Sequence, residues 1–510
     1  MDLSERFDME NMASKRERRL TLGFLAAVFV FMFVFFYNIH PLVILDADDW
    51  TYVSYSRMAL PSARYWNPSR ILPELLMSGC SNFAVFALLP LMHDYIRALS
   101  LVYALVLSLF ITGYTWCLLR LLERRIRLER VWSLPAAALF LIFHFLIFRT
   151  KSSGNSYMLR SCNVTCYFYY TIPALLNCSL LMYFLSGSGP DAYLREGGAL
   201  KKGVLLLLCY LAVFSNLFAS VILATYAGCV LLFALVECIR EKRGVLSLIR
   251  ERAVSLGIFL MWCVSAVFEL LGGRAASFDG EKSLGALLAV SAGRAVDVIK
   301  SMSPIFLLLA AGLAVMALIA YLSAKKTGAA SGEAKGLFLT LILSGAIVSA
   351  LIIILAAKTD PKYIDPYRAD LIFGMTFFPV LLITLCGAYV LRRFGWVRVL
   401  VPLMIVVLLS AVNTSSATFA ESNMIFTSHE KVADMSRDVL EQVIAADRAG
   451  LLTAEIYVSD VGTSDNWPQA TYMGKRLADS LYKHGLISRE IELIIVPSQE
   501  YNEKFGLDFG

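Results

Sequence analysis

Charge is what this chain has least of. Only 17% of its 510 residues are Asp, Glu, Lys or Arg, while 58% are hydrophobic. A soluble domain carries about 25% charged and about 45–50% apolar residues. A soluble fold could not cover this much apolar surface, and disordered or fibrous chains do not have this composition. No run of Lys and Arg is interleaved with aromatics. The net charge of +6 comes mostly from basic residues at the ends of apolar runs, so no nucleic-acid partner is expected. The ten cysteines show no paired CxxC zinc spacing, and most lie inside apolar runs as small core residues. Cys162 and Cys166 fall close together in a loop, where a disulfide is left open. No internal repeat or low-complexity segment stands out. What remains is a polytopic membrane protein.

The polar N-tail, residues 1–19, ends in KRERR. The apolar run Leu20 to Tyr37 is too long for a signal-peptide core and has no small-residue cleavage site. It is expected to be an uncleaved first span with a cytoplasmic N-terminus. Further runs lie at 97–119, 131–148, 165–185, 203–218, 219–238, 253–271, 303–323, 336–357, 370–391 and 397–414. Together they predict about eleven helices, each near the length that crosses about 30 Å of hydrocarbon. The segments SKRERR, RLLERRIRLER, IREKRG, SAKKTG and RRFGWVR are short and basic, as cytoplasmic loops are. The segments 38–96, 272–302 and 358–369 are longer and less densely basic, as external ones are. If Ile71 to Pro90 also crossed, RLLERRIRLER would move outside against this rule, so that stretch is read as interfacial or re-entrant.

Residues 20–414 therefore form a multi-span domain whose first external loop is 38–96. Residues 415–510 change character. HEKVADMSRDVLEQVIAADRAG has helical spacing of Val432, Met435, Val439, Val443 and Ile444, with Gly450 as a stop. AEIYVSD and IELIIVP read as strands, and ATYMGKRLADSLYKHG between them reads as a helix ending at Gly485. This β-α-β piece predicts parallel strands. By parity it lies outside the cytoplasm. The fold class is all-α polytopic with a small C-terminal extracytoplasmic α/β segment.

The first external loop, HPLVILDADDWTYVSYSRMALPSARYWNPSRILPELL, concentrates reactive side chains. Asp46, Asp48 and Asp49 follow the first span. Arg57, Arg64 and Arg70 come after them, interleaved with Trp50, Tyr52, Tyr55, Tyr65 and Trp66. Adjacent acids at a membrane surface raise each other's proton affinity, and a fold that keeps them together often uses one as a base or holds a cation with them. A solvated acidic turn is the plain alternative.

The pattern DDWTY…R…NPSRILPELL resembles the GT-C class of membrane glycosyltransferases, nearest to bacterial members related to the O-antigen-modifying glucosyltransferases. The resemblance implies a lipid-linked sugar donor used on the outer face. NPSR stands where such relatives often have Gly-Arg, with Ser69 in place of the glycine. LLGGRAAS at 270–277 resembles a PGN..R-like segment without its proline and asparagine. YIDPYRADLIF at 363–373 resembles a late external loop that carries an arginine. DNWPQATYMGKRLADSLYKHG resembles the short extracytoplasmic tail of these proteins. The resemblance also implies the cytoplasmic membrane of a bacterium, where the NVT and NTS sequons at 163 and 413 carry no glycan.

A polyprenyl-phosphate sugar has a good leaving group, so one carboxylate base suffices and no protonating acid is required, unlike glycoside hydrolysis. The base is expected to be Asp48, with Asp49 next. Cations must hold the phosphate as it leaves: Arg274 and Arg368 first, then Arg57 and Arg70. Asp46, Tyr52, Arg160, Glu269, Lys362 and Tyr363 are candidates to line the pocket. External arginines also meet lipid head groups, and Asp360 and Asp365 beside Lys362 make a simple charged loop an equal reading. No cofactor is required, although clustered carboxylates could hold Mg²⁺ or Mn²⁺. The expected partners are a lipid-linked sugar donor, a glycan or glycolipid acceptor and the bilayer. His144, mid-span, is read as a packed, hydrogen-bonded residue. A glycan polymerase or ligase and a transporter or flippase are the competing readings. The near absence of charge within the spans argues against transport.

Overall fold

The computed structural model describes residues 3–56, 66–148, 156–196, 198–270, 283–326, 332–413, 419–422, 424–425 and 427–509. Among them, eight helices are long and apolar enough to cross a membrane: Lys15–Ile39, Ile71–Met92, Tyr95–Ile126, Val164–Leu185, Leu217–Arg240, Pro304–Lys326, Lys335–Thr359 and Phe373–Arg393. A ninth results if Val245–Glu251 and Ala253–Glu269, bent by 86°, form one broken span. The chain is thus a mostly helical multi-pass protein. The apolar runs at 131–148, 203–218 and 397–414 fold as shorter helices of 17, 15 and 14 residues, below the length of about 20 that spans the hydrocarbon unaided.

The helix Val164–Leu185 is the most enclosed, with 83% of its apolar window buried, and it therefore forms the centre. Tyr95–Leu121 and Leu217–Arg240 pack on it. His144 is held inside the bundle between the Phe140 carbonyl, 2.7 Å from Nδ1, and the Tyr114 hydroxyl, 3.1 Å from Nε2.

Contacts hold the helix Ile71–Met92 at both ends. At its start, Arg70 lies over the Tyr169 ring. Near its end, Phe86 rests against His484, and Asp94 just beyond pairs with Arg437. Phe83, Phe86 and Leu91 on this helix are exposed.

Residues 427–509 fold as a small unit of helices around a two-stranded sheet. The helix His429–Arg448 is capped by Ser428, whose hydroxyl accepts from the Lys431 N–H at 3.2 Å. Val432, Met435, Val439 and Val443 make its buried stripe. Gly450, at φ +74°, ends it in the left-handed conformation. The strands Thr453–Ser459 and Glu492–Ser498 pair in parallel, with Ile456 opposite Ile495. The helix Gly474–Lys483 connects them and lies so close to the second strand that a Cβ at Gly474 would fall 2.1 Å from the Leu493 carbonyl oxygen. A last helix, Gln499–Phe505, closes the unit.

Candidate functional site

Asp48 and Asp49 sit on one short helix, Ala47–Tyr52, and Asp46 immediately precedes it. Asp46 caps it, accepting from the Asp48 N–H at 2.6 Å, and Asp49 completes the capping box. Acids suit the first turn of a helix because its N–H groups and dipole favour negative charge. The local sequence thus explains why DADD forms a turn. Its three carboxylates then diverge.

Asp49 is fully buried. Its Oδ1 accepts from the Thr165 N–H at 2.7 Å and the Thr165 hydroxyl at 2.8 Å. Its Oδ2 accepts from the Leu45 and Asp46 N–H groups, each at 3.2 Å. Burial raises its proton affinity above the carboxylate norm, and the hydrogen bonds from Thr165 offset part of that rise. Asp46 is also buried, and its Oδ2 accepts from the Trp467 indole N–H. Burial first, and the charge of Asp49 second, raise its proton affinity too. Asp48 differs from both. Its side chain is 48% exposed and pairs with Arg476 at 3.0 Å. A half-exposed pair of this kind contributes about 0–1 kcal/mol, so it can open at little cost.

The first two turns of the helix Val164–Leu185 gather the cations. Thr165 holds Asp49. Cys166 lies 3.9 Å from Nη2 of Arg368. Arg368 is fixed by Asp370, with Nε 3.2 Å from Oδ1, and stacks over the Tyr170 and Tyr363 rings. Burial works against its charge, but Asp370 and the neighbouring groups raise its proton affinity well above the ordinary arginine value, so it stays a cation. Arg70 lies over Tyr169 and pairs with Glu269 at 3.6 Å, and Glu269 also accepts from Asn67 at 3.0 Å. The NPSR segment is thus anchored at both ends by one carboxylate. Tyr169 donates to the buried Glu74 at 3.0 Å and packs against Tyr52, with ring centroids 5.0 Å apart. Arg160 is buried over the Tyr367 ring.

The C-terminal unit closes the region from the other side. Besides Trp467 and Arg476, Ser436 donates to the Ile44 carbonyl at 2.6 Å, and the hydroxyls of Ser54 and Ser480 lie 2.7 Å apart. His484 lies 2.9 Å from the Tyr95 hydroxyl, and the rings of His40 and His429 are 4.0 Å apart. Burial pushes His40 down to about 3, so it is neutral at physiological pH.

Asp46, Asp48, Asp49, Tyr52, Arg70, Arg160, Glu269, Tyr363 and Arg368 are thus brought to one end of the bundle. Lys362 is 73% exposed and pairs with Asp360 at 2.9 Å. Arg57 and Arg274 lie outside the described residues. Cys162 and Cys166 are free thiols. Among the described residues no three His, Cys, Asp or Glu side chains converge to hold a metal ion. The three acids point instead to Trp467, Arg476 and Thr165.

Thr165, Tyr169, Tyr170, Trp467 and Arg476 were not singled out from the sequence. The string VTCYFYYT carries a usable signal, with the hydroxyls of Thr165 and Tyr169 at i and i+4 on one side of the helix that starts an apolar run. Trp467 and Arg476 give no local signal, since their acidic partners are 421 and 428 residues away.

No family model, no curated protein and no solved structure matches this chain.

Proposed function

We propose that this chain is a membrane glycosyltransferase that moves a sugar from a polyprenyl-phosphate donor to an envelope glycan or lipid-linked acceptor. One observation carries the reading. The cations Arg70 and Arg368, from separate segments, lie over Tyr169 and Tyr170 in the first turns of the buried helix Val164–Leu185, and Thr165 at the start of that helix holds Asp49, next to the half-exposed Asp48.

In this reading Asp48 is the base. It takes the proton of the acceptor hydroxyl as that oxygen bonds to the anomeric carbon. The bond from that carbon to the phosphate oxygen breaks, and the phosphate leaves with the electron pair. Of the two candidate bases, Asp48 is the one with an accessible oxygen. The four hydrogen bonds on Asp49 suit it to anchoring the turn. Arg368, Arg70 and Arg160 receive the phosphate charge, because preorganised cations in a partly dry site stabilise charge that develops during reaction. Arg57 and Arg274 join this set by their places in the sequence, and Tyr52 and Tyr363 line it.

The accompanying topology has about eleven crossings. It uses the shorter helices Arg130–Leu146, Ala199–Val213 and Leu400–Asn413 as spans and leaves Ile71–Met92 at the surface. It places the N-terminus in the cytoplasm of a bacterium and residues 415–510 outside. The donor enters sideways, because withdrawing its chain from the bilayer costs about 0.8 kcal/mol per CH₂.

The test is a panel of polyprenyl-phosphate sugars offered to the purified protein with envelope extract as acceptor, following free polyprenyl phosphate. Release by the wild type and not by Asp48→Asn supports the reading. No release from any donor sinks it.

A further inference from the structure

A recess lies at the end of the bundle away from the acids. The helices Tyr95–Leu121 and Ile172–Leu185 both start at the acidic end, and Ala199–Val213 runs back toward it. The far halves of the first two and the near half of the third enclose an open-sided cavity of ≈ 650 Å³. Its wall is apolar and includes Leu109, Gly113, Leu176, Leu180, Val204 and Leu208. This is the volume of a small-molecule pocket, but its lining offers almost nothing to a polar ligand.

Its rim is different in character. Lys201 lines the mouth and is exposed, with its ammonium 5.1 Å from the centre of the Tyr193 ring. Arg120 is held by the Ser186 hydroxyl at 3.0 Å and the Tyr193 hydroxyl at 3.2 Å, and it stacks among Trp116, Tyr183 and Tyr193. The nearby described acids are committed elsewhere: Glu123 to Arg130 at 2.9 Å, and Asp191 to Ser255 at 2.6 Å. Among the described residues neither Arg120 nor Lys201 has a carboxylate partner. Aromatic rings and cations at one height mark the head-group level of a membrane, and uncompensated cations there attract anionic lipid.

We propose that this recess is a binding site for an anionic glycerophospholipid, with an acyl chain in the apolar cavity and the phosphate between Arg120 and Lys201. The site is separate from the acidic end and does not depend on the transfer reaction proposed there.

The test uses native mass spectrometry of delipidated protein in detergent, titrated with phosphatidylglycerol and with phosphatidylcholine of the same acyl chains. Each cation near a lipid surface contributes about 1 kcal/mol, and tenfold in affinity is about 1.4 kcal/mol. Two cations therefore predict a preference of roughly tenfold or more for phosphatidylglycerol. Lys201→Glu removes the preference. Gly113→Leu removes the adduct itself, since a Cβ at Gly113 meets nothing within 4 Å and the new side chain enters the recess without a clash. Equal binding of the two lipids overturns the proposal, as does an adduct that survives Gly113→Leu. Displacement of phosphatidylglycerol by polyprenyl phosphate at equal concentration also overturns it, because the recess would then belong to a single-chain carrier.

Discussion

The bond between Thr165 and Asp49 joins the first loop to the central helix, and its strength can be worked out. Thr165→Val keeps the shape of the side chain and the backbone N–H but removes the hydroxyl that donates to Asp49 Oδ1 at 2.8 Å. A hydrogen bond to a charged group contributes about 1.5–3 kcal/mol, so the variant should lose about 2 kcal/mol where Asp49 is ionised. The sign with pH follows from linkage. Asp49 holds its proton to a higher pH in the folded chain than the usual 3.8. Folding therefore binds protons, and stability falls as pH rises from that value until the raised folded value is passed. Removing a donor raises the folded value further, by about one unit per 1.4 kcal/mol. The fall then extends to higher pH, and the difference between variant and wild type grows from pH 5 to pH 8. Unfolding in mixed detergent micelles at both pH values measures this, with Thr165→Ser as the conservative control. A double-mutant cycle with Asp49→Asn isolates the pair. A loss below about 0.5 kcal/mol at pH 8, or an equal loss in the Asp49→Asn background, would refute the reasoning.

The C-terminal unit makes further outcomes checkable. Gly474→Ala puts a Cβ against the Leu493 carbonyl; backbone does not yield easily, so a loss of about 1–3 kcal/mol is expected, read as faster tryptic cleavage within 429–509. Trp467→Phe strips a donor from the buried Asp46 and should destabilise by about 1.5–3 kcal/mol. Arg476→Gln should cost under about 1 kcal/mol, because its pair with Asp48 is half exposed; the reverse order in thermal unfolding would contradict the assigned geometry. Burial pushes the Cys162 thiol up to about 11, so alkylation at pH 8 should be roughly a hundredfold slower in the folded protein than after denaturation.

Local chemistry made part of this protein readable from its sequence. Apolar runs locate the long helices because a span must satisfy its own backbone. The C-terminal unit was legible because Val432, Met435, Val439 and Val443 keep helical spacing and Gly450 and Gly485 both sit at positive φ. The composition of Ile71–Met92 suffices for a span, and only the charge asymmetry around it argues for an interfacial placement. The acidic turn was visible as a cluster, but the division of labour within it was not. Asp46, Asp48 and Asp49 are chemically alike. What separates them is burial and partners brought from residues 165, 467 and 476. Arg70 and Arg368 could be nominated as cations, whereas their settings over Tyr169 and Tyr170 depend on helix packing between distant segments.

The central claim is tested most directly by single-turnover transfer from a radiolabelled polyprenyl-phosphate sugar in nanodiscs, comparing wild type, Asp48→Asn and Asp49→Asn. The account predicts transfer by the wild type and a loss of roughly 10²–10⁴ in rate for Asp48→Asn, the usual contribution of a general base. Asp49→Asn should lose stability more than rate per folded molecule. Transfer by Asp48→Asn at the wild-type rate would contradict the account.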